Sequence, residues 1–151
     1  MGSIWFNRTV WAISAAVTFY WLASQLVPLM VVPWVPHGWL SAFPSKHVGL
    51  AVWLELLHTL ALLVAAIPVA FALRMVLGKS SLGVAMAAAL ITTTWDVASY
   101  WWTLPIMPAV RDTVVQVVTV IDDCELLVIL PLLVWALLRV VPNLRWSGHA
   151  A

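Results

Sequence analysis

Charged residues are scarce in this sequence: 7 of its 151 residues are Lys or Arg and 6 are Asp or Glu. The charged fraction of 9% is far below the value of about 25% that is typical of a globular domain. No cluster of Lys and Arg is present, so we expect no nucleic-acid partner. The hydrophobic fraction of 64% and the mean hydropathy of +1.04 instead predict an integral membrane protein, surrounded by the lipid bilayer.

Cysteine is almost absent as well. The one cysteine, Cys124, cannot form an intramolecular disulfide or a CxxC pair, which excludes thiol redox chemistry. Because it lies in an apolar run, we expect Cys124 to be a small buried residue.

Long apolar runs are abundant. They cover residues 9–32, 47–77, 81–104 and 113–141, and each is long enough to cross a hydrocarbon layer about 30 Å thick. We therefore predict an all-α fold, an integral membrane four-helix transmembrane bundle that forms one domain over residues 1–151. The first run is too long for the core of a signal peptide, so we interpret it as an uncleaved first helix.

Proline and glycine mark the ends of these runs. Residues 33–44 and 105–108 are rich in proline and should form loops. Residues 78–81, Gly-Lys-Ser-Ser, predict a tight turn that makes the second and third helices antiparallel neighbours. In the third helix, the small pairs Gly83/Ala87 and Ala85/Ala89 predict close approach of a neighbouring helix.

The few basic residues lie near the helix ends and are unevenly divided. Five lie at one end of the predicted bundle and two, Lys46 and Arg111, at the other; the five are Arg8, Arg74, Lys79, Arg139 and Arg145. Because positive residues favour the cytoplasmic side, we predict a multi-pass protein of the inner (plasma) membrane with both termini in the cytoplasm.

Acidic residues are concentrated inside these apolar runs. With a rise of 1.5 Å per residue, the polar residues of all the predicted helices lie about 18–28 Å above their cytoplasmic ends. Ionisable groups at such depth usually face a cavity and mark a functional site. The candidate catalytic residues are Glu55, His58, Asp96, Asp122, Asp123 and Glu125. The candidate substrate-binding residues are Tyr20, Gln25, Trp95, Tyr100 and Trp102.

Helical periodicity divides the acids of the last run. Asp122 and Glu125 are three residues apart and share a face, whereas Asp123 is rotated by about 100° from Asp122. Five carboxylates without a nearby Lys or Arg are untenable in a medium of low dielectric constant. Some must be protonated, or a metal ion must neutralise them, or water must reach them.

Protonated carboxyl groups, a bound metal ion and a water-filled cavity each correspond to a different function. Clustered carboxyl groups with a histidine suit acid–base chemistry on a lipophilic small molecule, such as isomerisation, cyclisation or hydration, and this is the function that we favour. Such an enzyme needs no cofactor. The pairs Glu55/His58 and Asp122/Glu125 alternatively suit a single divalent metal, while the lack of a second Glu-x-x-His disfavours a dinuclear centre.

Two further hypotheses use the same residues. A proton- or cation-coupled transporter would use them as a relay and, with so few helices, would be expected to form a homodimer. An accessory subunit would use them as hydrogen bonds between helices within a larger membrane complex.

Overall fold

The computed structural model describes residues 2–34, 47–103 and 113–142, and these are almost entirely helical. The α-helices are α1 (Gly2–Val31), α2 (His47–Leu77), α3 (Ser81–Thr103) and α4 (Thr113–Val140). A short 3-10 helix, Val32–Trp34, follows α1, and another, Gly78–Ser80, joins α2 to α3. The predicted loop at 105–108, most of the predicted loop at 33–44, and Arg145 lie outside the described residues.

Helix α1 begins at Gly2 rather than near Thr9. The predicted start followed Arg8, the last charged residue before the long apolar run, but no proline interrupts residues 2–8. A helix can therefore extend beyond its long apolar run, since the hydrogen bonds of its backbone do not depend on the hydropathy of the side chains.

The turn between α2 and α3 depends on Gly78. This residue has φ of 56°, a left-handed conformation that glycine adopts without a steric penalty and that commonly ends a helix. The buried hydroxyl of Ser81 donates a hydrogen bond of 2.7 Å to the Gly78 carbonyl and closes the turn.

The helices pack in the cyclic order α1, α2, α4, α3, so each contacts the next along this ring. Helices α2 and α3 contact each other only slightly despite the short turn between them. The prediction that they are neighbours was therefore wrong for their packing, since they lie diagonally across the ring, and Phe19 of α1 and Leu130 of α4 are fully buried in the shared core.

Small side chains dominate the centre of the bundle. On α3, Ala85 and Ala89 are fully buried, as their spacing predicts. Gly83 does not serve this role, since it is exposed and a Cβ added there would meet nothing within 4 Å. The buried alanines are Ala12, Ala15, Ala16, Ala23, Ala61, Ala65, Ala66, Ala70, Ala85, Ala88 and Ala89. Such residues let helix backbones approach closely, as in membrane-embedded helices.

Basic side chains hold one end of the bundle together. Arg8 of α1 donates a hydrogen bond of 3.2 Å to Ser80 in the α2–α3 turn. Arg74 is only 2% exposed and donates hydrogen bonds of 3.4 and 2.7 Å to the carbonyls of Val141 and Pro142, just beyond α4. The start of α1, the α2–α3 turn and the end of α4 therefore lie at the same end.

Within the described residues, two helical stretches are long and apolar enough to cross a membrane: Asn7–Val31, and Gly49–Trp102, which includes the turn at Gly78. Large apolar side chains on the outside of the bundle are widely exposed. Examples from α1, α3 and α4 are Val17, Leu90 and Val120, with exposed fractions of 63%, 56% and 61%.

Candidate functional site

The candidate site begins with a contact between α2 and α4. Nδ1 of His58 lies 2.5 Å from Oδ1 of Asp122, which makes the two residues an ion pair when the histidine is protonated. Neither atom makes a well-aligned hydrogen bond within the part of the chain that is described, and both are shielded from solvent. Because Asp122 faces Nδ1, the other ring nitrogen, Nε2, is left for a different partner.

Beside this pair, Thr59 of α2 and Glu125 of α4 form a second contact. The Thr59 hydroxyl lies 2.6 Å from Oε1 of Glu125 and 2.9 Å from the backbone carbonyl of Glu55. The second carboxyl oxygen of Glu125, Oε2, is buried without a hydrogen-bond partner among the described residues, and so is Oε1 of Glu55.

Four side chains converge at this place. Glu55, His58, Asp122 and Glu125 each offer one ligand-type atom, and these atoms all lie within 4.8 Å of one another. We call these four residues the α2–α4 cluster. The three- or four-residue spacing along each helix brings them to facing sides of α2 and α4, which are neighbours in the ring.

Asp96 lies across a cavity from this cluster. The cavity has a volume of about 310 Å³ and is enclosed by residues of all four helices. His58 and Asp122 form part of its wall, while Asp96 of α3 and Tyr20 of α1 form another part. The phenol of Tyr20 interacts with the carboxyl group of Asp96, so the two residues form a pair opposite the cluster. We call this space the polar cavity.

Asp123 is separated from the α2–α4 cluster, as its rotation along α4 requires. It interacts electrostatically with Asp96 and Asp122, but it does not line the polar cavity. Its Oδ1 atom is buried and has no hydrogen-bond partner among the described side chains and backbone.

The predicted substrate-binding residues fall into two groups. Tyr20 lines the polar cavity, and Tyr20 and Trp95 together line a neighbouring apolar groove. Gln25, Tyr100 and Trp102 line neither space. Gln25 is exposed and donates a hydrogen bond to Ser24, Tyr100 packs edge-to-face on Trp101 with ring centroids 6.3 Å apart, and Trp102 is 81% exposed.

The wall of the polar cavity also contains residues that were not among the predicted catalytic or substrate-binding residues. These are Ala23, Ser24, Val27, Pro28, Leu62 and Leu126. Pro28 gives one recognisable signal, because a helical proline frees the carbonyl four residues earlier, here that of Ser24. The other residues are small or apolar and resemble ordinary core residues in sequence.

Cys124 was predicted to be buried, and this prediction was wrong: the thiol is exposed. Residue 124 is rotated by about 200° from Asp122, so it faces away from α2. In a bundle with an apolar exterior, a small apolar residue is equally acceptable on the outside.

Comparisons with known protein families, with curated proteins and with solved structures find no significant match to this chain.

Proposed function

We propose that this chain is a small multi-pass enzyme of the inner (plasma) membrane, in which α1, α2, α3 and α4 cross the bilayer as a four-helix bundle. The distribution of side chains supports this placement, because alanines fill the centre while large apolar residues such as Val17 and Leu90 face outward. An exposed apolar surface of this extent needs lipid or a partner to cover it. Helix α4 contains three acids, but Asp122 and Glu125 face α2 rather than the outside.

The basic residues support an orientation with both termini in the cytoplasm. Arg8 and Arg74 lie at the same end as the α2–α3 turn, which contains Lys79. Arg139, in the last turn of α4, lies at this end too and stacks on the ring of Trp135 at 5.3 Å. By the positive-inside rule this end is cytoplasmic, and the polar cavity then lies in the outer half of the bilayer.

The proposed activity is acid–base chemistry on a lipophilic substrate, and one observation carries it. The polar cavity has His58 beside Asp122 on one wall and Asp96 beside Tyr20 on another. A carboxyl group against Nδ1 orients the imidazole ring, and Nε2 then exchanges a proton with a bound molecule. The cavity thus has two separate groups for adding and removing protons.

Isomerisation, cyclisation and hydration can all use this arrangement. In each, an acid transfers a proton to a carbon–carbon double bond and leaves a carbocation. In isomerisation, the cation loses a different proton to a base. In cyclisation, an internal double bond attacks the cation, and the new cation loses a proton. In hydration, water adds to the cation and then loses a proton. The enzyme regains the proton that it donated, so no oxidant or reductant is required. Asp96 or protonated His58 would donate, and the group on the other wall would accept.

This proposal can be tested without knowing the substrate, because all three reactions place a solvent hydrogen on carbon. The purified protein in liposomes is incubated in D₂O with total lipids from the membranes of its host. Mass spectrometry then identifies lipids that acquire non-exchangeable deuterium. We expect incorporation with the wild-type chain and its loss with His58→Gln and with Asp96→Asn.

Ser99→Ala is the matched control for Asp96→Asn, because Ser99 lies on the same helix and, within the described residues, its hydroxyl donates only to the Trp95 carbonyl of its own helix. It should leave deuterium incorporation unchanged. The proposal is wrong if no lipid acquires deuterium with the wild-type chain, or if His58→Gln and Asp96→Asn retain full incorporation while remaining folded.

A second candidate function is the binding of a divalent metal ion by the α2–α4 cluster. Its ligand-type atoms lie within 4.8 Å of one another, and each residue has a buried atom without a hydrogen-bond partner among the described residues. Oxygen ligands surround cations such as Ca²⁺ at about 2.3–2.6 Å, so ligands on opposite sides of an ion are about 5 Å apart. One imidazole with three carboxyl groups suits Mn²⁺, Fe²⁺ or Zn²⁺.

Elemental analysis of the protein, purified without added metal, tests this candidate. If the cluster holds an ion, the wild-type chain contains stoichiometric metal and Asp122→Ala/Glu125→Ala contains none. Asp123→Ala is the matched control, because Asp123 is adjacent in sequence but lies outside the cluster. A metal content that is the same in all three proteins would exclude the α2–α4 cluster as its site.

A further inference from the structure

An apolar groove lies between α1 and α3 on the outside of the bundle. Its volume is about 490 Å³, and its lining is almost wholly apolar. Val17 and Trp21 of α1 and Ile91 and Trp95 of α3 are all exposed, so the groove opens to the surroundings of the bundle. In the proposed membrane placement, those surroundings are lipid chains.

The groove borders the polar cavity. Tyr20 and Ser24 line both spaces, and the Tyr20 side chain interacts with both Trp95 of the groove and Asp96 of the cavity. The side chains of Tyr20 and Ser24 therefore form the boundary between the groove and the cavity that contains Asp96. The two volumes fall within the range of small-molecule sites, about 300–1,000 Å³, which suits one hydrocarbon chain rather than a two-chain phospholipid.

The polar cavity is complementary to positive charge. Asp96 and Asp122 face the polar cavity with His58 as the only basic side chain among its lining residues. Of the described basic side chains, Arg8 contacts Ser80, Arg74 contacts the carbonyls after α4, and Arg139 contacts Trp135, all near the opposite end of the bundle. Carboxyl groups and the ring face of a nearby tryptophan both stabilise a cation.

We propose that the groove and the polar cavity form a single site for an unsaturated single-chain lipid. The hydrocarbon chain lies between α1 and α3, and the double bond that reacts lies in the polar cavity, where positive charge develops on carbon. This inference rests on the proposed function, which it deepens by naming the substrate class. A long-chain ammonium compound mimics both the chain and the cation, so it should bind here more tightly than an uncharged alcohol of equal length.

Photolabelling tests the position of the chain without requiring turnover. The probe is dodecylamine with a diazirine on its chain, added to the protein in phosphatidylcholine nanodiscs, and the labelled peptides are identified by mass spectrometry. We expect labels on residues 16–24 and 91–95. Val17→Trp fills the groove and should reduce labelling about tenfold, equivalent to about 1.4 kcal/mol of lost binding. Val10→Trp is the matched control, since Val10 is exposed on the same helix but does not line the groove.

Competition tests the charge of the head group. Unlabelled dodecylamine should displace the probe at a concentration about tenfold lower than dodecanol, and Asp96→Asn should abolish this difference. Equal competition by the two compounds in the wild-type chain would overturn the cationic end of the site. Labelling of Val17→Trp at the wild-type level would overturn the groove.

Two other outcomes are informative. If the wild-type chain is not labelled and Val17→Cys in a Cys124→Ser background forms a disulfide-linked dimer, a second copy covers the groove and the inference is wrong. If groove-specific labelling is present but no lipid gains deuterium from D₂O, the lipid site stands and the catalytic proposal fails.

Discussion

Thr59 of α2 and Glu125 of α4 are joined by a hydrogen bond of 2.6 Å between the Thr59 hydroxyl group and Oε1 of the carboxyl group. Thr59 also lies 2.9 Å from the Glu55 carbonyl, and a hydroxyl group has only one hydrogen to donate. The two oxygens therefore compete for the same hydrogen, one from the facing helix and the other from the helix that contains Thr59 itself.

Thr59→Val is expected to lower the free energy of unfolding by about 1–3 kcal/mol, because it leaves a buried oxygen of Glu125 without a partner. Glu125→Gln should cost less, since its amide group can still donate to Thr59. Thermal unfolding in detergent measures both. Thr94→Val is the matched control, because the Thr94 hydroxyl donates a hydrogen bond of 2.7 Å to the Leu90 carbonyl of its own helix. Equal stability of Thr59→Val and Thr94→Val would show that the α2–α4 contact contributes nothing.

The packing of α3 can be tested at two nearby positions. Ala85 is fully buried, so Ala85→Leu should overfill the bundle centre and cost about 1–3 kcal/mol. Gly83 lies in the same helix with open space beside it, so Gly83→Ala should stabilise the protein by about 0.5–1 kcal/mol through helix propensity. Unfolding temperatures in detergent report both effects. A loss of stability in Gly83→Ala would mean that another molecule packs against this face.

Arg74 should be important for stability although it lies far from the site. Arg74→Met removes two hydrogen bonds from a charged donor to backbone carbonyls and should cost about 1.5–3 kcal/mol. Lys79→Met is the control, because Lys79 is exposed at the same end, and surface changes usually stay within about 0.5 kcal/mol. The prediction is refuted if the two variants unfold at the same temperature.

The membrane placement predicts the reactivity of Cys124. Its thiol is exposed on the bundle surface, yet in the proposed placement that surface contacts lipid. A water-soluble, membrane-impermeant maleimide should therefore label Cys124 only after the membrane is dissolved in denaturing detergent. Lys79→Cys in a Cys124→Ser background should be labelled in inside-out vesicles. If Cys124 reacts in intact membranes as fast as Cys introduced at position 79, the placement is wrong.

The all-helical fold could be predicted because apolar runs of this length and composition specify helices regardless of how these pack. The depth of each residue along its helix could also be predicted, since the rise per residue is fixed. This depth indicated that Glu55, His58 and Asp122 lie at similar heights. The rotation of each helix about its axis could not be predicted from the sequence. It depends on which buried side chains fit together, and this is why Gln25 and Trp102 point away from the polar cavity.

The order of the helices in the ring was also beyond the sequence. A turn as short as Gly78–Ser80 suggested that α2 and α3 are close neighbours, but a turn restricts only the ends that it joins. The remaining length of each helix packs where its small residues fit best, and α1 and α4 provide those surfaces.

The two carbonyls that Arg74 contacts are 67 and 68 residues further along the chain. During synthesis, the guanidinium group therefore leaves the ribosome long before its partners exist, and it must remain hydrated until then. Only when α4 has formed and residues 141 and 142 have emerged does the charge reach its buried position. The last helix thus completes the assembly of the bundle, and truncation before Val141 would leave the Arg74 cation without its two carbonyl partners.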